Sequence, residues 1–488
     1  MKKTILLFAA VITLLSNLPA AAETWEGESD YDGERHGVWT RYTDDETLWE
    51  TISYRHGALH GVRTGYYPDG SPSSIITYQD GVLSGTYTTY YDNDSHSRSE
   101  EGDYADDRRT GPWMSWHPNG QIKTKSIYFA GQLNGLAEDF YSSGGKQRVA
   151  QFRNNQLHGP YTEYYDNIEN TRRAFGEITD DKKTGEWTTW HANGNIESVQ
   201  NYYLGTLNGR SQTYFVSGRL AVDQTYKNNV LHGRYLSLYE VDYHAIDLEG
   251  RIIENERNGL WLKRAKNGNI IEEISWERGT LSGMSTFYHE GDGVIDYMLP
   301  YEDGILQGEA RWFFHVPLEA GVTAAEADLP PVSEQGNYRN GKKTGLWRGF
   351  FEDGEVRMST MWGGNMRNGL ESEYDIDVGT FTDSIYLLRE TNWVADKQEG
   401  LERLYYPDSS LRLIGNWRND YPEGEFVHYY DNGEISNIGS YVDGKQEGVW
   451  REYDRDGTLI TIRVYNNDEL VDLQEDCDNP VIECVLPE

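Results

Sequence analysis

One glycine comes back seventeen times in this chain of 488 residues: Gly37, Gly61, Gly85, Gly111, Gly135, Gly159, Gly185, Gly209, Gly233, Gly259, Gly283, Gly308, Gly345, Gly369, Gly400, Gly424 and Gly448. Most steps are 24 to 26 residues; two are longer, 37 from Gly308 to Gly345 and 31 from Gly369 to Gly400. A fixed period of this size marks a repeat array. Arrays present extended surfaces instead of enclosing a single pocket.

The residues around the glycine keep a phase. Seven positions before it stand aromatics such as Tyr54, Tyr104, Tyr128, Trp276, Trp362 and Trp417. Two positions after it comes Trp39, Trp113, Trp187, Trp261, Trp347 or Trp450 in some units. Pairs such as Tyr66-Tyr67 and Tyr429-Tyr430 follow at five and six. Then comes Asn-Gly or Asp-Gly, as in Asn119-Gly120 and Asp353-Gly354. Such a dipeptide between aromatic and β-branched runs predicts a hairpin with a type I′ turn. The recurrent glycine is expected at a second tight turn, where a Cβ is unwelcome. The chain therefore reads as all-β: an elongated repeat array of about seventeen β-hairpins forming a twisted antiparallel meander. At about 4.8 Å per strand, some thirty-four strands give a contour of roughly 160 Å.

A longer period lies over the first. The units of Gly37, Gly111, Gly185, Gly259 and Gly345 have both the Trp at plus two and a basic residue at minus two: Arg35, Arg109, Lys183, Arg257 and Lys343. Duplication of a three-hairpin block explains this. So does a basic-and-indole stripe on one face of the twisted sheet.

Gly448-Val449-Trp450 through Asp456-Gly457 to Tyr465 resembles the MORN repeat in its bacterial variant form. So do Gly111-Pro112-Trp113 to Tyr128 and Gly185-Glu186-Trp187 to Tyr202. The resemblance runs over about 31–473. It implies a module for protein interaction, dimerisation or scaffolding, with lipid association often suggested. The variant is also frequently labelled an antitoxin component, which implies an antitoxin or immunity-type binder of a toxin as a further reading.

Residues 1–22 read as a signal peptide, with Lys2-Lys3, an apolar core from Ile5 to Leu15, and a cleavage site between Ala22 and Glu23. The expected destination is the periplasm or the exterior, with no integral membrane segment left after cleavage. Export favours a disulfide between Cys477 and Cys484, the only cysteines, in a C-terminal cap at 474–488. The formal net charge of −36 argues against nucleic acid and permits a cationic partner. Charge also keeps an aromatic-rich sheet soluble.

The period breaks divide the array into blocks at 23–314 and 336–473, with an inserted loop or short helix at 315–335. Loops that interrupt a rigid scaffold often carry specificity. No catalytic residue, metal ligand or cofactor is singled out. His60 and His158 alternate with Asn and Ser along the array, and His117 and His191 follow a repeat Trp, so they read as framework. The expectation is a non-enzymatic scaffold that binds another protein, with self-association through sheet edges or faces also allowed. The alternative is glycan or cell-wall binding on aromatics read as out of phase: Trp49, Trp116, Trp190, Tyr243, Trp312 and Tyr421.

Overall fold

The computed structural model describes residues 24–241, 245–319, 321–324, 327–377, 384–475, 477–478 and 484–485. The signal-peptide residues with Ala22 and Glu23, and also Tyr243, lie outside them. The described residues form thirty-nine strands and no helix. This all-β hairpin array was expected from the repeat. The count exceeds thirty-four for two reasons. Extra strands stand at Thr24–Ser29 and Glu469–Gln474, and three strands are each split in two, as at Tyr421–Pro422 and Gly424–Tyr429. The chain divides into two compact units, one covering most of the residues up to 229 and the other most of those beyond. Within each, successive strands pair antiparallel in an open meander.

The recurrent glycine has a different place from the one expected. All seventeen copies have positive φ, but they lie past the tight turn, fourteen inside strands and three, Gly283, Gly308 and Gly424, where a strand is split. Met114 pairs with Glu101 and Thr110 with Asp103, which leaves Gly111, Pro112 and Trp113 opposite Gly102 alone. Such an insertion into one strand needs a residue in the left-handed region. The tight turns are also exchanged. At Asn119-Gly120 only Gly120 has positive φ, so the type I′ expectation fails there. Both central residues are positive at Asp106-Asp107, Asn154-Asn155 and Asp180-Asp181, which fits type I′. Asp or Asn suits the second position because its carboxyl or amide oxygen accepts a backbone N–H one hairpin back: Leu83 to Asp107 at 2.8 Å and Leu157 to Asp181 at 2.8 Å.

The core is a row of indoles lying on bare backbone. Trp113, Trp187, Trp261 and Trp347 are 2–3% exposed. Each lies over a glycine eleven residues earlier: Gly102, Gly176, Gly250 and Gly336. The indole N–H donates to a carbonyl beside that bulge, Trp113 to Asp103 at 3.1 Å and Trp187 to Glu177 at 3.0 Å. The other ring face meets the basic residue of the same unit. Arg109 stands 3.9 Å from the Trp113 ring centre, Lys183 4.2 Å from Trp187, Arg257 4.5 Å from Trp261 and Lys343 3.8 Å from Trp347. The basic-and-indole pair is thus a cation–π contact, one per three-hairpin block in the regular part of the array.

The hairpins are also joined laterally. The Tyr67 hydroxyl donates to the Tyr90 carbonyl (2.6 Å), Tyr91 to Trp116 (2.7 Å) and Tyr430 to Tyr453 (2.9 Å). At the same position His117 bonds the Phe140 carbonyl (2.9 Å) and His191 that of Tyr214 (3.2 Å).

Candidate binding cleft at the inserted segment

The second unit carries the segment that interrupts the repeat. After the strand Gly308–Phe313, the described residues among 314–331 lie outside the sheet, and the next strand is Val332–Arg339. Gly308 still pairs with Tyr338 and Phe313 with Val332, so the ladder closes beneath the excursion. The inserted residues fold against Val294 and Ile295, which are buried. Between them lies a cleft of about 630 Å³. Its walls are apolar, chiefly Val316, Leu318, Val322, Leu329, Pro330 and Pro331. Glu319 and Asp328 supply negative charge, and Tyr288 also lines the cleft. Burial, then the Glu273 carboxylate, push the Tyr288 hydroxyl up to about 12, so it stays a neutral donor.

A histidine pair stands near the mouth. His289 and His315 have ring centres 4.2 Å apart, and His315 Nε2 is 2.8 Å from Asp292 Oδ2. Burial opposes the Asp292 charge. The His315 hydrogen bond and the Val294 N–H outweigh it, and its carboxyl falls below the usual range.

The aromatics proposed from phase do not form one site. Trp116 and Trp190 stand five residues after Gly111 and Gly185, the place held by Tyr66 and Tyr90 elsewhere, so they keep the phase. Both carbonyls receive lateral tyrosine bonds. Trp49 is 47% exposed and Tyr421 61% exposed; Tyr421 packs beside Gly444. Trp312 is the one that joins others: its ring lies 6.5 Å from Tyr297 and 5.8 Å from Trp347, and Phe287 stacks on Tyr297 at 4.5 Å. No ring contact joins any two of the proposed set among the described residues. The cleft itself is visible in sequence only as the 37-residue step, because its apolar residues follow no repeat.

The other period break is a long hairpin, Met366–Asp377 with Ser384–Val394. Buried carboxylates there and in the next strand, Lys397–Tyr405, are occupied by the framework. Glu371 of the hairpin accepts the Thr360 hydroxyl at 2.9 Å and the Trp393 indole N–H at 3.2 Å; Glu402 of the next strand accepts the Trp417 indole N–H at 2.8 Å. Cys477 and Cys484 are bonded to each other as expected. The Gln474 side chain bonds both the N–H and the carbonyl of Val485, which ties this cap to the last strand.

The sequence model of the MORN repeat variant matches residues 59–80, 109–129, 183–202, 422–443 and 446–467. No curated protein matches the chain. Among solved structures, the crystal structure of TcdB2-TccC3 aligns over 90% of this chain and 27% of that one, at 11% identity and a TM-score of 0.14. The Photorhabdus luminescens Tc holotoxin pore aligns over 89% and 26%, at 10% identity and a TM-score of 0.13. The chain spans about a quarter of the length of these proteins, and scores so low carry no argument. Five units of the chain thus match the MORN repeat variant, and the hairpin array is consistent with that family.

Proposed function

We propose that this repeat scaffold is an exported, non-enzymatic binder of another protein, and that the cleft of the inserted segment is where the partner docks. The observation that carries the reading is where the repeat ceases to explain the residues. Elsewhere, residues such as Trp113, His117 and Glu371 are engaged with neighbouring hairpins. The inserted segment builds a hollow of about 630 Å³ whose lining residues are mostly apolar, with Glu319 and Asp328 beside it. On a chain of net charge −36, this combination suits an apolar side chain flanked by basic residues.

Leu329, 73% exposed on the cleft wall, provides the test. The full chain, Leu329→Asp and Glu319→Lys/Asp328→Lys are used as baits on the exported fraction, with crosslinking at low salt. A basic protein held by the parent and reduced at least tenfold by both variants supports the reading. A partner held equally by Leu329→Asp removes the cleft from it. Tryptophan emission that responds to cell-wall polysaccharide, with no protein captured, replaces it with glycan binding.

A further inference from the structure

The first repeat departs from the pattern twice at one spot. Seven residues before Gly37 stands Asp30, where the other units have an aromatic or isoleucine. Five residues before Gly61 stands His56, the only histidine at that phase. In two later units the same geometry pairs a histidine with an aspartate: His60 with Asp80 and His158 with Asp180, each at 3.2 Å. In the first unit the aspartate of that pair is replaced, and His36 faces His56 with ring centres 5.3 Å apart. Asp30 then comes in from the preceding turn, with Oδ2 2.8 Å from His56 Nδ1. One donor atom from each of Asp30, His36 and His56 lies within 4.8 Å of the other two.

We propose that Asp30, His36 and His56 form a surface site for one divalent transition cation of the zinc class. Two imidazole nitrogens and one carboxylate oxygen are borderline-soft donors that favour zinc over calcium or magnesium. Bonds of about 2.0–2.2 Å place tetrahedral donors roughly 3.4 Å apart. The observed spacing reaches this by small rotations, because both imidazole side chains are exposed. The carboxylate is already held. Asp30 Oδ1 accepts the N–H groups of Asp32 (3.0 Å) and Glu34 (2.9 Å), which leaves Oδ2 for the ion. Such outer hydrogen bonds orient a ligand. The fourth position falls to water. Neighbouring cations are engaged elsewhere: Arg35 lies 4.6 Å from the Trp25 and Trp39 ring centres, and Arg55 pairs with Asp80.

The donors come from the turn after the strand Thr24–Ser29, the start of Arg35–Tyr42, and the turn after Leu48–Arg55. An ion there clips the edge hairpin to the next one. The cap at the other end of the chain uses a disulfide.

The test is zinc titration of the EDTA-stripped full chain by calorimetry, with hydrogen exchange over 24–42. One site per chain is expected, with slower exchange when zinc is bound. His36→Ala, His56→Ala and Asp30→Asn should each weaken it at least tenfold. His56→Asp, which restores the residue of later units, keeps the hairpin and should also lose the ion. His289→Ala/His315→Ala should leave the site intact. Zinc bound equally by His56→Asp and the parent overturns the proposal, as does binding lost only in His289→Ala/His315→Ala.

Discussion

The seat beneath each indole can be tested by adding one methyl group. In Gly102→Ala the new Cβ would lie 2.3 Å from Trp113 Cδ2, well inside van der Waals contact. The indole has little room to retreat. Arg109 covers its other face at 3.9 Å, and Tyr87, Tyr104 and Tyr128 surround it with ring centres 5.1–6.2 Å away. Shifting the ring also lengthens the bond from its N–H to Asp103. Overpacking costs about 1–3 kcal/mol and a lost hydrogen bond about 0.5–1.5 kcal/mol. The expected loss is therefore about 2–4 kcal/mol. Gly111→Ala is the control: its Cβ meets nothing within 4 Å, so the cost is the left-handed φ of 66°, about 1–2 kcal/mol. A repeat array need not unfold in two states, so the readout must be local. Amide hydrogen exchange over 98–116 should accelerate about thirty- to several-hundred-fold in Gly102→Ala, at about 1.4 kcal/mol per tenfold, and clearly less in Gly111→Ala. Equal exchange in the two variants, or faster exchange in Gly111→Ala, would refute the account of the indole seat.

Arg109→Met removes the cation from the Trp113 face and keeps much of the packing; local stability there should fall by about 0.5–2 kcal/mol, read by the same exchange experiment. Burial, then Arg412, depress the His428 imidazole below its ordinary value of about 6.5. Its contribution is present above that pH and lost as pH falls through the depressed value, so urea titrations of His428→Gln should show a flatter acid limb than the parent. Cys477→Ser/Cys484→Ser opens a short loop, costs about 2 kcal/mol locally, and should speed proteolysis near the strand Glu469–Gln474 without affecting the first unit.

Much of this molecule can be read from its phase. The period, the hairpins and the pairing of Arg109 with Trp113 follow from spacing, because each unit repeats one local solution. The second glycine series, Gly102, Gly176, Gly250 and Gly336, was equally periodic. Its meaning depended on knowing that an indole crosses to the preceding strand, which spacing alone does not reveal. The turn types were exchanged for a related reason. Asn119-Gly120 and Asp106-Asp107 both suit turns, and only the bulge at Gly111 decides the strand register that selects each type. The cleft was legible as a place, 315–335, but not as a shape. Asp30, His36 and His56 come from separate segments, so spacing alone does not bring them together.

The lateral tyrosine bonds give the scaffold a direction. Each hydroxyl reaches from an earlier hairpin to a later one, so the joints behave like rivets driven from one side. The equivalent positions at Phe215, Ala265, Phe314 and Phe351 have no polar side chain to drive. Phe314 adjoins the inserted segment. Under a pulling load these are the seams that part first, and single-molecule force traces should yield there before the riveted hairpins. A partner seated in the cleft would brace one of these seams.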